Sequence, residues 1–240
     1  MLQKWQPHLA EVFGTFTLVF VGATAVVGFG GSAAPFAFGI GLLAALYAFG
    51  ATSGGHFNPI LTLGMFLDRR MGLRLSLEYW AAQFVGAVLG ALALLLMTSS
   101  DDVAKAATVP GIAGVRGAFF AEVFLSAIFV IVVLTVTKST QHAGTVYVAI
   151  ALTLLAIHFA AVPFSGSSVN PARSFGTALI GNKWTDFWIY IIAPPAGAIL
   201  GWIIYAIVIK GDTNLRDDFD SMRKEVEGGL GSSGGGTAAG

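Results

Sequence analysis

Residues 53–60 read Ser-Gly-Gly-His-Phe-Asn-Pro-Ile, and residues 165–172 read Ser-Gly-Ser-Ser-Val-Asn-Pro-Ala, so one short phrase occurs twice in this chain. Each copy contains an asparagine followed by a proline. Asparagine favours the position just before a helix, and the fixed φ of proline suits the first helical turn. Each copy therefore predicts a helix that begins after a turn rich in glycine and serine, and both lie within strongly apolar sequence.

The composition is that of a membrane protein. Of the 240 residues, 55% are hydrophobic and 11% are charged, and the mean hydropathy is +0.78, well above that of an ordinary soluble domain. A helix of about 20 apolar residues crosses the hydrocarbon core. We therefore predict six spanning helices, at about residues 9–29, 36–52, 77–98, 117–137, 144–161 and 186–210. The net charge of zero argues against a nucleic-acid or anionic partner.

The chain has no cysteine, which excludes disulfides, thiol catalysis and metal sites built from cysteine. The 4 histidines, His8, His56, His142 and His158, are scattered without the spacing of metal ligands. We therefore expect neither a metal nor another cofactor, and we expect no enzymatic activity.

Basic residues predict the orientation in the membrane, because positively charged loops stay on the cytoplasmic side. With the amino terminus inside, nine lysines and arginines fall in inner segments and four fall in outer segments. Both termini are therefore expected in the cytoplasm, as six crossings require.

The two halves of the chain are repeats. The sequence Ala-Glu-Val-Phe at residues 10–13 recurs at 121–124, an offset of 111, and the Asn-Pro pairs are 112 residues apart. Each half carries three predicted spans, an odd number, so the second copy enters the membrane from the opposite side. We place the first repeat at residues 1–98 and the second at 117–210, joined by an outer loop at 99–116.

The Asn-Pro pairs begin segments that are too short to span. Residues 58–67 and 170–180 are mostly apolar, and about ten residues reach about 15 Å, half the hydrocarbon thickness. Irregular backbone at membrane depth is tolerated only where it is buried in protein or lines a water-filled cavity. The sequence therefore predicts an all-α membrane protein with six transmembrane helices plus two re-entrant half-helices, which meet near the midplane at a pore.

Residues 211–240 are expected to form a disordered cytoplasmic tail. Charged residues return after the last predicted span, and residues 231–240 are rich in glycine and serine. Segments of this composition bury little apolar surface.

The doubled phrase, above all Ser-Val-Asn-Pro-Ala-Arg-Ser-Phe-Gly at residues 168–176, resembles the signature of the aquaporin family of water and glycerol channels. The resemblance covers the chain from about residue 8 to residue 210. It implies an aquaporin-like fold, a homotetramer in the lipid bilayer with one pore in each subunit, and a passive channel that conducts water in single file. We expect a prokaryotic, water-selective member in the plasma (inner) membrane. A channel for a small neutral solute such as glycerol, urea or ammonia is the alternative.

The resemblance assigns the pore centre to six residues of the two motifs: Asn58, Pro59, Ile60, Asn170, Pro171 and Ala172. Each asparagine begins a half-helix, whose positive dipole end points to the middle of the membrane. The two amides are expected to donate to a passing water and to orient it so that the file relays no proton, although each amide could serve merely as a helix cap. Ile60 replaces the usual alanine of the family and places three extra carbons beside the point where the half-helices meet, so the local pore width is left open at this position.

The resemblance places a selectivity filter at four positions counted from the asparagines: Phe38, His158, Ser167 and Arg173. A charged side chain within the membrane is costly unless it faces a cavity or a partner; the alternative is that Arg173 extends to the lipid headgroups. Histidine opposite phenylalanine resembles the narrow ring of water-selective members. Ser174 agrees, because glycerol facilitators typically carry aspartate there, whereas Ile191 stands where water channels often have tryptophan and favours the other solutes.

Glu11 and Glu122 lie within the first and fourth predicted spans. The equivalent glutamates of the aquaporin family accept hydrogen bonds from the re-entrant loops. The resemblance therefore assigns both residues, together with His56, to the structural support of these loops. A secondary transporter is a competing hypothesis, since inverted repeats with broken helices also serve transport and carboxylates within membranes often carry protons.

Overall fold

The structure is a computed structural model, which describes residues 4–139, 142, 144–211 and 215–231. Six helices in these ranges are long and apolar enough to cross a membrane, and we call them the first to the sixth span: Gln6–Phe29, Gly31–Ser53, Leu73–Leu95, Gly114–Lys138, Val146–Ser165 and Trp188–Lys210. The second and sixth spans contain π-helical segments at Leu46–Gly50 and Tyr205–Lys210.

Most span ends differ from the prediction by one to five residues, and two of them have a clear local cause. The third span begins at Leu73 instead of residue 77, and its first turns carry Arg74 and Glu78, whose side chains form an ion pair of 3.0 Å along the helix. Hydropathy marks only the apolar part of a helix, so polar end turns of this kind are missed. The fifth span continues past Pro163 to Ser165 and ends at Gly166 in the left-handed conformation.

The two half-helices are Pro59–Leu67 and Pro171–Ile180, with 9 and 10 residues. Asn58 and Asn170 are their N-cap residues, so each helix begins one residue later than predicted. At 1.5 Å per residue the half-helices are about 14 and 15 Å long, which is half the thickness of the hydrocarbon core. The predicted fold class, six transmembrane helices and two half-helices in an all-α protein, is confirmed.

Equivalent helices of the two repeats cross in the same way. A Cβ atom added at Gly86 of the third span would lie 2.3 Å from the carbonyl oxygen of Val12, and one added at Gly197 of the sixth span would lie 2.3 Å from that of Val123. Glycine at these positions therefore lets the helix backbones touch. The first and third spans, and likewise the fourth and sixth, form one tightly packed pair in each repeat.

Each half-helix is held by spans of the opposite repeat. The second half-helix packs on the third span, where a Cβ atom at Gly176 would lie 2.5 Å from the carbonyl oxygen of Ala87. The first half-helix packs on the sixth span and on the fourth, where a Cβ atom at Gly64 would lie 3.0 Å from Val130 Cγ1. The centre of the protein is therefore built jointly by both repeats.

The segment predicted as an outer loop, residues 99–116, contains a short helix at Ser100–Lys105. The fourth span begins at Gly114 and so takes up the last three residues of that segment. Ser99 and Asp102 cap the short helix reciprocally, because the side chain of each accepts a hydrogen bond from the backbone N–H of the other. The residues after this helix fold inward against the fifth span, where the N–H of Gly111 donates to Phe164 O at 2.7 Å.

The prediction of a disordered tail is wrong for Leu215–Gly231, which form a helix. Met222 is buried, and Val226, one turn later, packs against the same hydrophobic cluster. The carboxylate of Glu225 accepts a hydrogen bond from the N–H of Leu73 at 2.8 Å and from Arg69 at 3.1 Å. The prediction extended the low complexity of the last ten residues to the whole tail, although the earlier part carries an apolar pair at helical spacing. Residues 232–240 lie outside the described residues.

Candidate functional site

The side chains of Asn58 and Asn170 meet where the two half-helices begin. The Oδ1 atom of Asn58 accepts a hydrogen bond from the N–H of Ile60 at 3.0 Å, and that of Asn170 accepts from the N–H of Arg173 at 3.1 Å. These bonds determine which end of each amide is oxygen, because a backbone N–H only donates. The Nδ2 atoms are therefore the ends that face the centre.

The two amides also exchange hydrogen bonds between the repeats. Asn58 Nδ2 donates to the carbonyl oxygen of Val169 at 2.7 Å, and Asn170 Nδ2 donates to that of Phe57 at 3.0 Å. Phe57 and Val169 adopt positive φ angles of 49° and 40°, a region that costs energy for bulky residues and turns their carbonyl groups toward the opposite amide. An amide nitrogen carries two hydrogens, so one N–H of each asparagine remains for a molecule in the pore.

A narrow cavity passes both asparagines and reaches the predicted filter. Its volume is about 10 Å³, which is about the room that one water molecule needs. Apolar and polar side chains line it together: Leu18, Phe38, Leu42, His56, Asn58, Leu61, Phe129, Leu154, His158, Ser168, Asn170 and Arg173. A cavity of this volume holds about one water molecule at a time.

Three of the four predicted filter residues lie against one another at this cavity. The guanidinium carbon of Arg173 is 4.7 Å from the centre of the Phe38 ring, and the rings of Phe38 and His158 are 4.8 Å apart. Arg173 Nη1 donates to the carbonyl oxygen of Ala106 at 2.9 Å, so the connecting segment holds the arginine in place. Arg173 therefore does not extend to the lipid headgroups, since its side chain is 2% exposed and lines the cavity.

The residues of the predicted filter offer both a hydrogen-bond donor and an acceptor. His158 Nδ1 lies 3.0 Å from the carbonyl oxygen of Leu154. A carbonyl group only accepts, so a neutral His158 carries its proton on Nδ1 and leaves Nε2 as an acceptor. Neither His158 Nε2 nor Arg173 Nε has a hydrogen-bond partner among the described residues, although both are buried. Buried polar atoms of this kind are usually satisfied, and a water in the pore would satisfy them here.

Ser167 is not among the residues that line the cavity. It is buried with a positive φ of 54°, and its hydroxyl group has no partner within the described part of the chain. The next residue, Ser168, lines the cavity instead. The assignment of Ser167 to the filter therefore stays a prediction.

Ile60 does not line the cavity. Its side chain is fully buried in the main hydrophobic cluster, in which Phe57, Leu61 and Val169 also lie. The first helical turn after Asn58 directs Ile60 into the protein, so it packs beside the pore centre instead of facing this cavity, and its assignment to the pore centre stays a prediction. Ile191, the other residue that favoured larger solutes, is 39% exposed on the outside of the sixth span.

Replacing Ile60 with alanine is expected to lower stability and to leave pore selectivity unchanged. Truncation of a buried isoleucine costs about 2–5 kcal/mol because it removes packing and leaves a cavity. Thermal unfolding in detergent, followed by circular dichroism, measures the first effect, and water and glycerol fluxes in vesicles measure the second. A change in the ratio of the two fluxes would show that Ile60 contributes to the pore.

Glu11 collects four hydrogen bonds around the first re-entrant loop. Its Oε1 atom accepts from the hydroxyl group of Ser53 at 2.7 Å and from the N–H of His56 at 3.0 Å. Its Oε2 atom accepts from the N–H of Phe57 and from Gln83 Nε2, both at 2.7 Å. The carboxylate thus holds the loop in the shape that brings Asn58 to the centre.

Glu122 has the equivalent place in the second repeat. It accepts from the hydroxyl group of Ser165 at 2.6 Å, from the N–H of Ser168 at 2.8 Å and from the N–H of Val169 at 2.7 Å. Both glutamates are fully buried. Neither lines the cavity, so neither lies where a transported ion would meet it.

Several polar residues around the loops were not predicted from the sequence. Gln83 and Thr62 support the first loop, whereas Thr108 and Ser174 support the second. Thr62 and Ser174 are 112 residues apart, the same offset as the two asparagines. That offset was the signal that could have identified them as a pair.

Comparisons with known proteins agree with this architecture. A sequence profile of the major intrinsic protein family matches residues 1–205. The chain is 35% identical over 215 residues to a protein of Brucella melitensis named Aquaporin Z, with 82% of this chain and 94% of that protein covered. It is 38% identical over 203 residues to the glycerol uptake facilitator protein-like 6 of Lactiplantibacillus plantarum, with 80% and 93% covered.

A solved structure has the same fold. The aquaglyceroporin of Plasmodium falciparum matches with a TM-score of 0.75 at 21% identity, over 85% of this chain and 96% of that one. Members of the matching family are membrane channels rather than enzymes. With a family match over most of its length and relatives above 30% identity, the chain belongs to the major intrinsic protein family of membrane channels, the family of the aquaporins.

Proposed function

We propose that this protein is a passive channel that conducts water in single file and excludes protons and ions. The observation that supports the proposal is the cavity lined by Asn58, Asn170 and Arg173, which has room for about one water molecule. Each asparagine retains one Nδ2–H beyond its hydrogen bond to the other repeat, and Arg173 Nε has no partner among the described residues. The relatives named Aquaporin Z favour water as the conducted molecule.

The two asparagines account for proton exclusion. Their remaining Nδ2–H groups donate to the oxygen of a water at the centre, so its hydrogens point away along the pore in both directions. The positive ends of both half-helix dipoles add to this orientation and repel cations. A file of waters oriented outward from its centre has no continuous relay for a proton.

The residues Phe38, His158 and Arg173 form the filter of the proposed channel, and we keep Ser167 in it on the family pattern. Arg173 donates to the passing water, His158 Nε2 accepts from it, and Phe38 closes the remaining side. A fixed cation also repels hydronium and metal cations. We expect Phe38, packed against both polar side chains, to hinder the passage of a carbon chain.

A channel for glycerol is the second candidate. It is favoured by the relative from Lactiplantibacillus plantarum, whose name is that of a glycerol facilitator. Ile60 and Ile191, which first suggested a larger solute, do not touch the cavity. The narrow ring of Phe38, His158 and Arg173 therefore favours water over glycerol.

Flux measurements on one preparation separate the two candidates. Proteoliposomes are shrunk by an impermeant osmolyte and, separately, by glycerol in a stopped-flow instrument. We expect water permeability well above that of empty vesicles and glycerol permeability equal to theirs. Water permeability no higher than in empty vesicles would refute the proposal, and rapid glycerol entry would favour the second candidate.

The channel is expected to be insensitive to mercuric salts. Mercury blocks channels of this family by binding a cysteine in the pore, and this chain contains none. Water permeability of proteoliposomes before and after mercuric chloride tests this directly. An empty-vesicle control detects damage to the lipid, and inhibition beyond that control would contradict the prediction.

We also propose a homotetramer in the plasma (inner) membrane, with both termini in the cytoplasm. The distribution of basic residues supports the orientation, and the family pattern supports the tetramer. Large apolar side chains such as Phe36, Ile40 and Phe159 are exposed on neighbouring spans and are available to lipid or to a second subunit. Native mass spectrometry and protease access to the tail in inside-out vesicles test the two statements.

A further inference from the structure

The segment that connects the two repeats runs from the first and third spans to the fifth. Ala106 packs in a hydrophobic cluster with side chains of the first and third spans. Further along, the N–H of Gly111 donates to Phe164 O at 2.7 Å, one of the last carbonyl groups of the fifth span. Between these two anchors the segment lies on the second re-entrant loop, where a Cβ atom added at Gly166 would be 3.3 Å from Thr108 Cα.

Three hydroxyl groups link the middle of this segment to the second half-helix. Thr108 Oγ1 lies 2.8 Å from Ser174 Oγ, which lies 2.6 Å from Ser168 Oγ. Ser168 also contacts the carbonyl oxygen of Asn170 at 3.0 Å, and a carbonyl group only accepts, so the single hydroxyl hydrogen of Ser168 is used there. Ser174 must therefore donate to Ser168, and Thr108 must donate to Ser174. The chain of hydrogen bonds runs in one direction, from the connecting segment to the backbone of Asn170.

Two consecutive residues of the second half-helix are thus held by one short stretch of the connecting segment. Arg173 Nη1 donates to the carbonyl oxygen of Ala106 at 2.9 Å, and Ser174 accepts from Thr108. The arginine side chain is long and has many rotamers, so it can follow its acceptor when that acceptor moves. The side chains of Thr108 and Ser174 are short, and they fix the backbone of the segment against the first turn of the half-helix. The position of the Ala106 carbonyl group therefore depends on Thr108.

The first repeat obtains the corresponding hydrogen bond from one of its own spans. Thr62 is the equivalent of Ser174 at the offset of 112, and it accepts from Gln83 of the third span at 2.9 Å. At the offset of 111 that relates the third and sixth spans, Gln83 corresponds to Pro194, whose side chain has no hydrogen-bond donor. In the second repeat the connecting segment supplies the donor instead, through Thr108.

We propose that Thr108 is a positioning residue for the selectivity filter. By donating to Ser174 it fixes the connecting segment, and with it the carbonyl group of Ala106 that holds the guanidinium group of Arg173. The solute that the filter selects rests on the proposed function, whereas the placement of Arg173 rests on the hydrogen bonds alone. The filter then depends on a side chain that lies on neither a span nor a half-helix.

The consequence for selectivity follows from the distance between Arg173 and Phe38. The guanidinium carbon lies 4.7 Å from the centre of the phenylalanine ring, and a larger solute must pass beside both groups. Without the hydroxyl group of Thr108, the Ala106 carbonyl group and the guanidinium group are free to move away from Phe38 together. We therefore expect loss of this hydroxyl group to admit larger solutes, with little effect on the passage of water.

Nitrogen-15 spectra of arginine-labelled protein in bilayers test the placement directly. A guanidinium group held by a hydrogen bond rotates slowly, so its two Nη atoms give separate signals, and those of Arg173 are identified by their loss in Arg173→Val. We expect separate Nη signals in the unmodified chain and in Thr108→Ser, and averaged signals in Thr108→Val. Identical Arg173 spectra in Thr108→Val and in the unmodified chain would overturn the proposal.

Glycerol entry into proteoliposomes tests the effect on the filter. Loss of one neutral hydrogen bond corresponds to roughly a two- to tenfold change, so we expect Thr108→Val to raise glycerol permeability by that factor over vesicles with the unmodified channel. A merely structural role predicts no such gain, because loss of folded channel only lowers the fluxes. Glycerol permeability equal to that of the unmodified channel would overturn the role of Thr108.

Two further variants of threonine control this measurement. Thr108→Ser keeps the hydroxyl group and should restore the glycerol permeability of the unmodified channel. Thr98→Val is the matched control on the same side of the membrane, since the hydroxyl group of Thr98 donates to the carbonyl oxygen of Leu94, four residues earlier. A rise in glycerol permeability in either variant equal to that in Thr108→Val would overturn the proposal.

Ser174→Ala removes the acceptor of the same hydrogen bond and should raise glycerol permeability in the same way. It replaces Thr108→Val in both measurements if that variant does not fold, and an unchanged Arg173 spectrum in Ser174→Ala would equally overturn the proposal. Absence of water flux in the unmodified chain would instead refute the proposed function, and the Arg173 spectra would still decide the role of Thr108.

Discussion

Arg173→Val is expected to make the channel permeable to glycerol and to protons. The substitution removes a fixed positive charge and widens the ring that Phe38 and His158 complete. A reduction of the barrier by about 1.4 kcal/mol raises a flux about tenfold, and we expect at least that increase for glycerol. Water permeability should stay within about twofold of the unmodified channel, because both asparagines remain.

Stopped-flow glycerol uptake and the collapse of a pH gradient across the vesicle membrane measure the two effects. Arg116→Val is the matched control, since Arg116 is an exposed arginine near the start of the fourth span and does not line the cavity. Unchanged glycerol and proton fluxes in Arg173→Val would contradict the place of Arg173 in the filter.

Glu122→Ala is expected to abolish the folded pore. The variant leaves the N–H groups of Ser168 and Val169 without their acceptor in a buried site, and the hydroxyl group of Ser165 keeps only the longer hydrogen bond to the carbonyl oxygen of Ala161 at 3.3 Å. Each buried donor without a partner costs about 1–3 kcal/mol, so the total is several kcal/mol, comparable to the stability of a whole domain.

The loss is measured as the midpoint of thermal unfolding in detergent, by circular dichroism, because the chain lacks the cysteines that thiol dyes require. Glu78→Ala is the control, since Glu78 is a partly exposed carboxylate whose ion pairs contribute at most about 1 kcal/mol. A Glu122→Ala protein that unfolds at the same temperature and conducts water would show that the second re-entrant loop holds its shape without the carboxylate.

The half-helices were predictable because their signals are local. Asparagine caps a helix and proline starts it wherever the pair stands, and apolar length alone decides whether a helix spans. The repeat offset of 112 residues then identified Asn170 as the equivalent of Asn58. The orientation of Ile60 was not predictable in this way, since the tilt of the first half-helix against the fourth and sixth spans determines which of its side chains face the pore.

Contacts between distant residues account for the other differences. The helix at Leu215–Gly231 is stabilised by Glu225, whose partner Leu73 lies 152 residues earlier in the chain. In the sequence, Thr62 is an isolated polar residue of an apolar helix. Its role depends on Gln83 of the third span, which donates a hydrogen bond to its hydroxyl group at 2.9 Å. Such pairs cannot be recognised from the neighbouring sequence, and they determine where the tail packs and how the first re-entrant loop is supported.

The crossed hydrogen bonds between Asn58 and Val169, and between Asn170 and Phe57, have the form of a two-fold symmetric dimer contact. In such a contact each partner donates a hydrogen bond to the other and accepts the equivalent hydrogen bond from it. The joint at the centre of the membrane is thus a homodimer interface that has been enclosed within one polypeptide. Neither repeat can complete its own half of the pore, because the acceptor for each amide belongs to the other repeat.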